Sequence, residues 1–183
     1  MSPLLHFDAV ALRRGGRLLF EGLDLELGPG ACLQVTGPNG SGKSSLIRLA
    51  AGLLREERGR IERPRLALAD DALALDRELP LKRALMFWSG AVDPAMDALG
   101  LSHLADVPVR LLSSGQAKRA TLTRVAASGA PLWLLDEPLN GLDSEGADRL
   151  ASLVEAHLAS GGAVLAASHQ PLPGEWPRVE LGQ

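Results

Sequence analysis

The stretch "TGPNGSGKSS", residues 36–45, decides how this chain is read. It directly follows the apolar run Ala31-Cys32-Leu33-Gln34-Val35 and holds glycines at 37, 40 and 42, one lysine and no carboxylate. A loop this rich in glycine loses much freedom on folding, so something must offset its ordering. Gly37, Gly40, Gly42, Lys43 and Ser44 fit G-x-x-x-x-G-K-[ST]. In such a loop inward-turned N–H groups form a concave anion site, and the following helix adds its own free N–H groups and the positive end of its dipole. The loop residues Gly37, Pro38, Asn39, Gly40, Ser41, Gly42, Lys43, Ser44 and Ser45 are therefore the expected nucleotide phosphate site. Lys43 is placed to reach the β- and γ-phosphates and Ser44 to ligate Mg²⁺. The competing reading is an ordinary glycine-rich turn. The preceding strand and the apolar helix expected over Lys43 to Leu54 favour the phosphate site.

The rest of the chain sets the bounds. Its 183 residues suit one domain, or a domain with a small subdomain. Hydrophobic residues make up 46% but aromatics only 3%, so leucine and alanine must fill the core. The net charge of −3 gives no electrostatic case for wrapping nucleic acid. The densest arginine group (55, 58, 60, 63, 65) is interleaved with Glu56, Glu57 and Glu62 and reads as a solvated mixed-charge surface. The single cysteine, Cys32, allows no intrachain disulfide and reads as a small core residue. The first residues lack a signal-peptide pattern, and no apolar run reaches the ~20 residues of a membrane helix. The expectation is a cytoplasmic chain that meets a membrane only through a partner.

Leu4 to Leu12 and Leu23 to Leu27 alternate as strands do, and Gly28-Pro29-Gly30 makes a turn. Ala31 to Val35, Leu132 to Leu135 and Ala163 to Ala167 are continuous apolar runs of the kind found in a parallel sheet covered on both faces. Between the first two lies a long insert with helices expected over Glu78 to Ser89 and Gly115 to Ala127. An amphipathic helix follows over Ser144 to Ser160, stopped by Gly161-Gly162. The chain closes with a short strand over Arg178 to Leu181.

Three further stretches carry chemistry. In "LWLLDEP" (132–138) an apolar strand ends in two acids: Asp136 could hold Mg²⁺, usually through water, and Glu137 could polarise a water for attack on the γ-phosphate. A plain turn or helix cap is the alternative. In "LLSSGQAKRATLTR" (111–124) Ser113, Ser114 and Gly115 can open a helix whose N-terminus is a second phosphate site, or a simple N-cap. In "ASHQPL" His169 follows the strand over Ala163 to Ala167, at the sheet edge where parallel strands present their carboxyl ends to ligands. A γ-phosphate contact is the expected role.

"LSSGQ" between a phosphate loop and "LLDEP", with "NGLD" after it and then "SHQ", resembles the ATP-binding subunits of ABC transporters. The likeness runs from about Leu4 to Val179. It implies an α/β fold: a P-loop NTPase core with a parallel sheet, an N-terminal antiparallel β part and a helical subdomain insert. The core would span about 1–70 and 128–183, and the helical subdomain about 71–127. The cofactors implied are ATP and Mg²⁺, the latter on Ser44 and Asp136. Glu137 would be the catalytic base and His169 the switch histidine. Ser114, Gly115 and Gln116 of the signature segment would contact ATP held by a second subunit, and Asn140 to Asp143 would communicate between the two sites. The partners implied are a second copy in a head-to-tail ATP sandwich and integral membrane transporter subunits, on the inner face of the cell inner membrane.

Within the family, "LSSGQAKRATLTRVAASGAPLWLLDEPLNGLD", "GGAVLAASHQPL", "RLLFEGLDLELGPG" and "ALDRELPLKRALMFW" look like the subunit of the haem exporter of cytochrome c maturation. Export of another substrate, or a weakly hydrolysing regulatory or scaffold role, are the alternatives. Two features depart from the family pattern. The stretch Leu12-Arg13-Arg14-Gly15-Gly16 has no aromatic residue to stack on adenine, which leaves an arginine or Leu12 for that place. Asp70-Asp71 stands where a glutamine normally follows the strand over Arg65 to Ala69, and either aspartate could take its Mg²⁺ contact.

Overall fold

A computed structural model describes residues 3–88 and 91–182. The chain opens with a hairpin of β1 (Leu5–Arg14) and β2 (Arg17–Leu27). Gly15 and Gly16 make its turn at φ 56° and 79°, the doubly left-handed geometry that matches strand twist in a two-residue loop. Leu5 and Phe7 face inward, a register shift at Ala9 follows, and Val10, Ala11 and Leu12 are all buried. After β3 (Cys32–Thr36) and helix α1 (Lys43–Ala50), β4 (Arg58–Glu62) pairs antiparallel with β1, giving the order β2-β1-β4. β4 lies inside the mixed-charge segment. Its arginines are exposed as expected, and Arg58 and Arg60 pair with Glu21 and Glu62.

The second sheet is parallel. It comprises β3, β5 (Leu66–Ala69), β6 (Leu132–Asp136), β7 (Ala163–Ala167) and β8 (Arg178–Glu180), in the order β5-β6-β7-β3-β8. Its two faces alternate cleanly. Leu132, Leu134 and Leu165 join α1 and the hairpin in one core, while Trp133, Leu135, Val164 and Ala166 pack beneath α4 (Ser114–Ala127) and α5 (Ser144–Ala159) in a second. A third cluster is built wholly from residues between Leu73 and Ala127 and includes α2 (Leu81–Met86) and α3 (Val92–Ala98).

Several boundaries differ from the expectation. α1 ends at Ala50 rather than Leu54, because Gly52 turns left-handed at φ 75° and Leu53 N–H closes on the Arg48 carbonyl at 2.9 Å. The helix expected over Glu78 to Ser89 starts only after Pro80, whose extended backbone bridges to Pro108. Proline fits a helix start but bars its own N–H from the ladder. Ser89 lies outside the described residues. Cys32 is only half-buried, its thiol 3.7 Å from the Glu175 carbonyl. Among the described residues no helix is long and apolar enough to cross a membrane.

Candidate functional site

Strand β3 delivers the glycine loop to the carboxyl edge of the parallel sheet. Gly37, at φ 139°, is packed so closely that a Cβ there would strike the Leu181 carbonyl and come within 2.8 Å of Ser41 Oγ. Gly42 caps α1 at φ 107°, a conformation that costs a residue with a Cβ. Lys43 is 7% exposed, and its ammonium donates to the carbonyls of Gly37 (2.8 Å) and Pro38 (3.1 Å). The side chain thus spans the loop it belongs to. Ser41 is buried beneath, its hydroxyl without a protein partner. Asn39, Gly40 and Gly42 through Ser45 line a cleft of about 350 Å³ that continues to Arg14, Arg17, Leu19 and Glu137.

Two strands away in the sheet, β6 ends on Asp136, which is 6% exposed. Burial pushes its carboxyl group above the ordinary range, and the Ser44 hydroxyl, donating to Oδ1 at 3.0 Å, pulls it back. Magnesium takes oxygen ligands octahedrally at 2.0–2.1 Å, which sets neighbouring ligands about 2.9 Å apart. The Ser44 and Asp136 oxygens match that spacing. Glu137 then turns left-handed at φ 46°, held by its N–H on the Ala167 carbonyl (2.8 Å) and by Asn140 N–H on its own carbonyl (3.2 Å). Such a conformation is rare for a residue with a side chain and collects at functional sites. It aims the carboxylate toward His169, whose Nδ1 lies 2.8 Å from Oε2.

The turn that presents His169 has a support that sequence reading missed. Gln34, 1% exposed on β3, donates from Nε2 to the Gln170 carbonyl at 2.7 Å, and Ser168 Oγ accepts from Gln170 N–H at 3.1 Å. The available signal was an amide inside an otherwise apolar strand.

The ABC transporter family model matches residues 20–140. The chain is 58% identical to the cytochrome c biogenesis ATP-binding export protein CcmA of Sphingopyxis alaskensis, covering 92% of this chain and 91% of that protein. It is 51% identical to the CcmA of Zymomonas mobilis, over 89% of this chain and 77% of that protein. The chain belongs to the ABC transporter ATP-binding family. The fold agrees. The ATP-binding subunit of an ABC transporter superposes with TM-score 0.83 at 21% identity, over 91% of this chain and 79% of the other. The ADP conformation of another ATP-binding cassette gives 0.76 at 21% identity, over 93% and 83%. ABC ATPases bind ATP with Mg²⁺, and their ATP-binding subunits pair with each other and with membrane subunits.

In this ABC ATPase Ser114, Gly115 and Gln116 do not line the glycine-loop cleft of their own chain. Ser113 caps α4 by accepting from Gln116 N–H (3.2 Å), and Ser113 N–H in turn donates to Gln116 Oε1 (2.9 Å). Ser114 lines a separate cavity of about 270 Å³ with Asp70, Asp71, Lys118, Asn140 and Gly141. Gly115 sits so near the 140–141 turn that a Cβ would come within 2.9 Å of the Gly141 carbonyl. Of Leu12, Arg13 and Arg14, only Arg14 lines the cleft. Leu12 is buried in the core, and Arg13 is drawn to Glu57 (3.3 Å) and the Gly16 carbonyl (3.1 Å). Arg14 faces the cleft, 3.3 Å from Ser45 Oγ, with Arg17 and Leu19 beside it, two residues the sequence reading did not select. Asp70 Oδ1 accepts from Ala72 N–H at 3.1 Å, and neither aspartate lines the glycine-loop cleft.

Proposed function

We propose that this ABC ATPase is the motor of a membrane exporter serving cytochrome c biogenesis, with haem or a haem-related group as the exported cargo. The cargo reading is supported by the CcmA relatives, which cover nearly the whole chain. The subunit works as a single ATP-binding domain with a helical lever at about 71–127, docked on the cytoplasmic face of the membrane. Two copies close head to tail around two ATP molecules. In each site the 37–45 loop and Lys43 hold the phosphates, and Ser114, Gly115 and Gln116 of the other copy complete the γ-phosphate cradle. Ser44 and Asp136 would hold magnesium, which when bound neutralises phosphate charge. Glu137 orients and polarises the attacking water, and His169 fixes the Glu137 carboxylate and the γ-phosphate. Phosphoryl transfer of this kind depends on positioning and charge stabilisation.

The observation that carries the hydrolytic part is the Glu137–His169 contact at 2.8 Å beside the glycine loop. A surface for the membrane subunits is supported by the groove of Leu75, Leu79, Ala84, Phe87 and Trp88, in which Phe87 is 83% exposed. The test is complementation of a strain lacking this chain, scored by haem staining of c-type cytochromes. The parent chain should restore them and Glu137→Gln should not. Full cytochrome c assembly with Glu137→Gln would reject the motor role. Purified Glu137→Gln should also form a dimer on size-exclusion chromatography only with ATP and Mg²⁺, and a monomer at saturating ATP counts against the sandwich.

A further inference from the structure

Helix α4 presents two cations to the carboxyl ends of neighbouring strands. Arg124, 8% exposed, donates to the Leu68 carbonyl on β5 at 2.7 Å and lies under the Trp88 ring at 5.0 Å. Lys118, one turn into the helix, brings its ammonium to 3.4 Å from the main-chain oxygen of Asp136 on β6. Lys118 is half-buried, and none of the ion pairs among the described residues includes it. Burial disfavours its charge and lowers its pKa, while Asp71, Asp136, Asp70 and Glu137, in that order, push the other way. The ammonium thus reaches the peptide that joins the two acids at the end of β6. Asp70 and Asp71 share a cavity with Lys118 and are absent from the lining of the phosphate cleft.

We propose that Lys118 is a positioning residue whose ammonium holds the peptide between Asp136 and Glu137 from the cavity it shares with Asp70 and Asp71, and that Asp70 and Asp71 serve this lysine and not magnesium. The inference rests on reading Glu137 as the water-polarising group. The physical case is repulsion. Two like charges in a partly buried region interact several times more strongly than in water. Without the ammonium, Asp70 and Asp71 lose the cation that lines their cavity, the Asp136 main-chain oxygen loses its contact, and the left-handed turn of Glu137 that follows it is displaced. A shift of about 1 Å in a reacting constellation costs on the order of 100-fold in rate. ATP affinity is spared, because Lys118 does not line the cleft. Lys118 also ties the foot of α4 to the end of β6, so amide exchange reads its loss at both places.

The test is a double-mutant cycle on the full chain with Lys118→Met, Asp71→Asn and the pair, and with Lys118→Arg as the conservative control. Lys118→Met should lower kcat for ATP by about 10- to 100-fold while KM stays within about 2-fold. Asp71→Asn alone should cost less. The double variant should recover at least about 5-fold over Lys118→Met, and Lys118→Arg should keep most of the rate. A second measurement needs no nucleotide. Amide exchange over 114–118 and at Glu137 should quicken in Lys118→Met and slow again in the double variant, with thermal melting checking that each variant is folded. Unchanged kcat and exchange in Lys118→Met overturn the proposal. So does an additive double variant, or a magnesium requirement that shifts in Asp71→Asn, since that makes Asp71 a metal contact. If Glu137→Gln hydrolyses ATP normally, the base assignment fails, yet the exchange result still decides for or against Lys118.

Discussion

The left-handed turn at Glu137 makes a stability prediction that runs against activity. The backbone there, at φ 46°, is fixed by bonds to Ala167 and Asn140 that do not involve the side chain. Replacing Glu137 by Ala or by Gly removes the same carboxylate and the same His169 contact, so those losses cancel in the comparison. What differs is the Cβ. A residue with a Cβ in the left-handed region carries about 1–2 kcal/mol of strain. Glycine escapes that strain but gains about 0.4–1 kcal/mol of freedom in the unfolded chain. Glu137→Gly should therefore be more stable than Glu137→Ala by about 1 kcal/mol. For a chain of this length that is about 2–4 °C in melting temperature. Calorimetric melts without nucleotide give the difference, and single-turnover hydrolysis gives the rates. Both variants should lose at least about 100-fold in rate, as expected for the loss of a positioned base. If the Ala variant melts at or above the Gly variant, the fold does not impose the left-handed turn, and the strain argument fails.

Other outcomes are as direct. Lys43→Ala removes the cation that spans the phosphate loop and should abolish tight ATP binding by equilibrium titration, with an unchanged circular dichroism spectrum; near-parental affinity would refute the phosphate assignment. Gln34→Leu strips the buried donor from the Gln170 carbonyl and should cost about 1–3 kcal/mol in denaturant unfolding, together with a fall in kcat larger than any change in KM. His157 stacks on Trp133 with centroids 3.7 Å apart, and burial holds its pKa below the usual value. The unfolded chain then binds the proton more readily, so stability is full above about pH 6.5 and falls as the pH drops from there toward the folded-state pKa. Denaturant midpoints followed by tryptophan fluorescence should show this slope in the parent and lose its His157 share in His157→Phe, which keeps a ring on Trp133; equal slopes would contradict it.

Much of this protein is legible in one dimension because its chemistry is local. The loop from Gly37 to Ser45 reads directly, since a phosphate cradle needs small residues in consecutive positions and a helix right behind them. The apolar runs of β3, β6 and β7 read as buried parallel strands for the same reason, and the α4 and α5 helices carry Ser113 and Asp143 caps at their starts. The resemblance in "LSSGQ", "LLDEP" and "SHQ" supplied the family. What stayed hidden depends on partners distant in the chain. β4 looked like loose charged surface because only pairing with β1 makes those arginines a strand edge. That Lys118 shares a cavity with Asp70 and Asp71 stayed hidden, because it lies far along the chain and local pattern does not reach it. The choice of Arg14 over Leu12 at the cleft needed the hairpin register, since a one-residue change of register sends a side chain to the opposite face. Sequence determined which groups this protein carries to its site; tertiary structure decided which charges face each other there, because Coulomb forces and burial act across space and take no account of chain order.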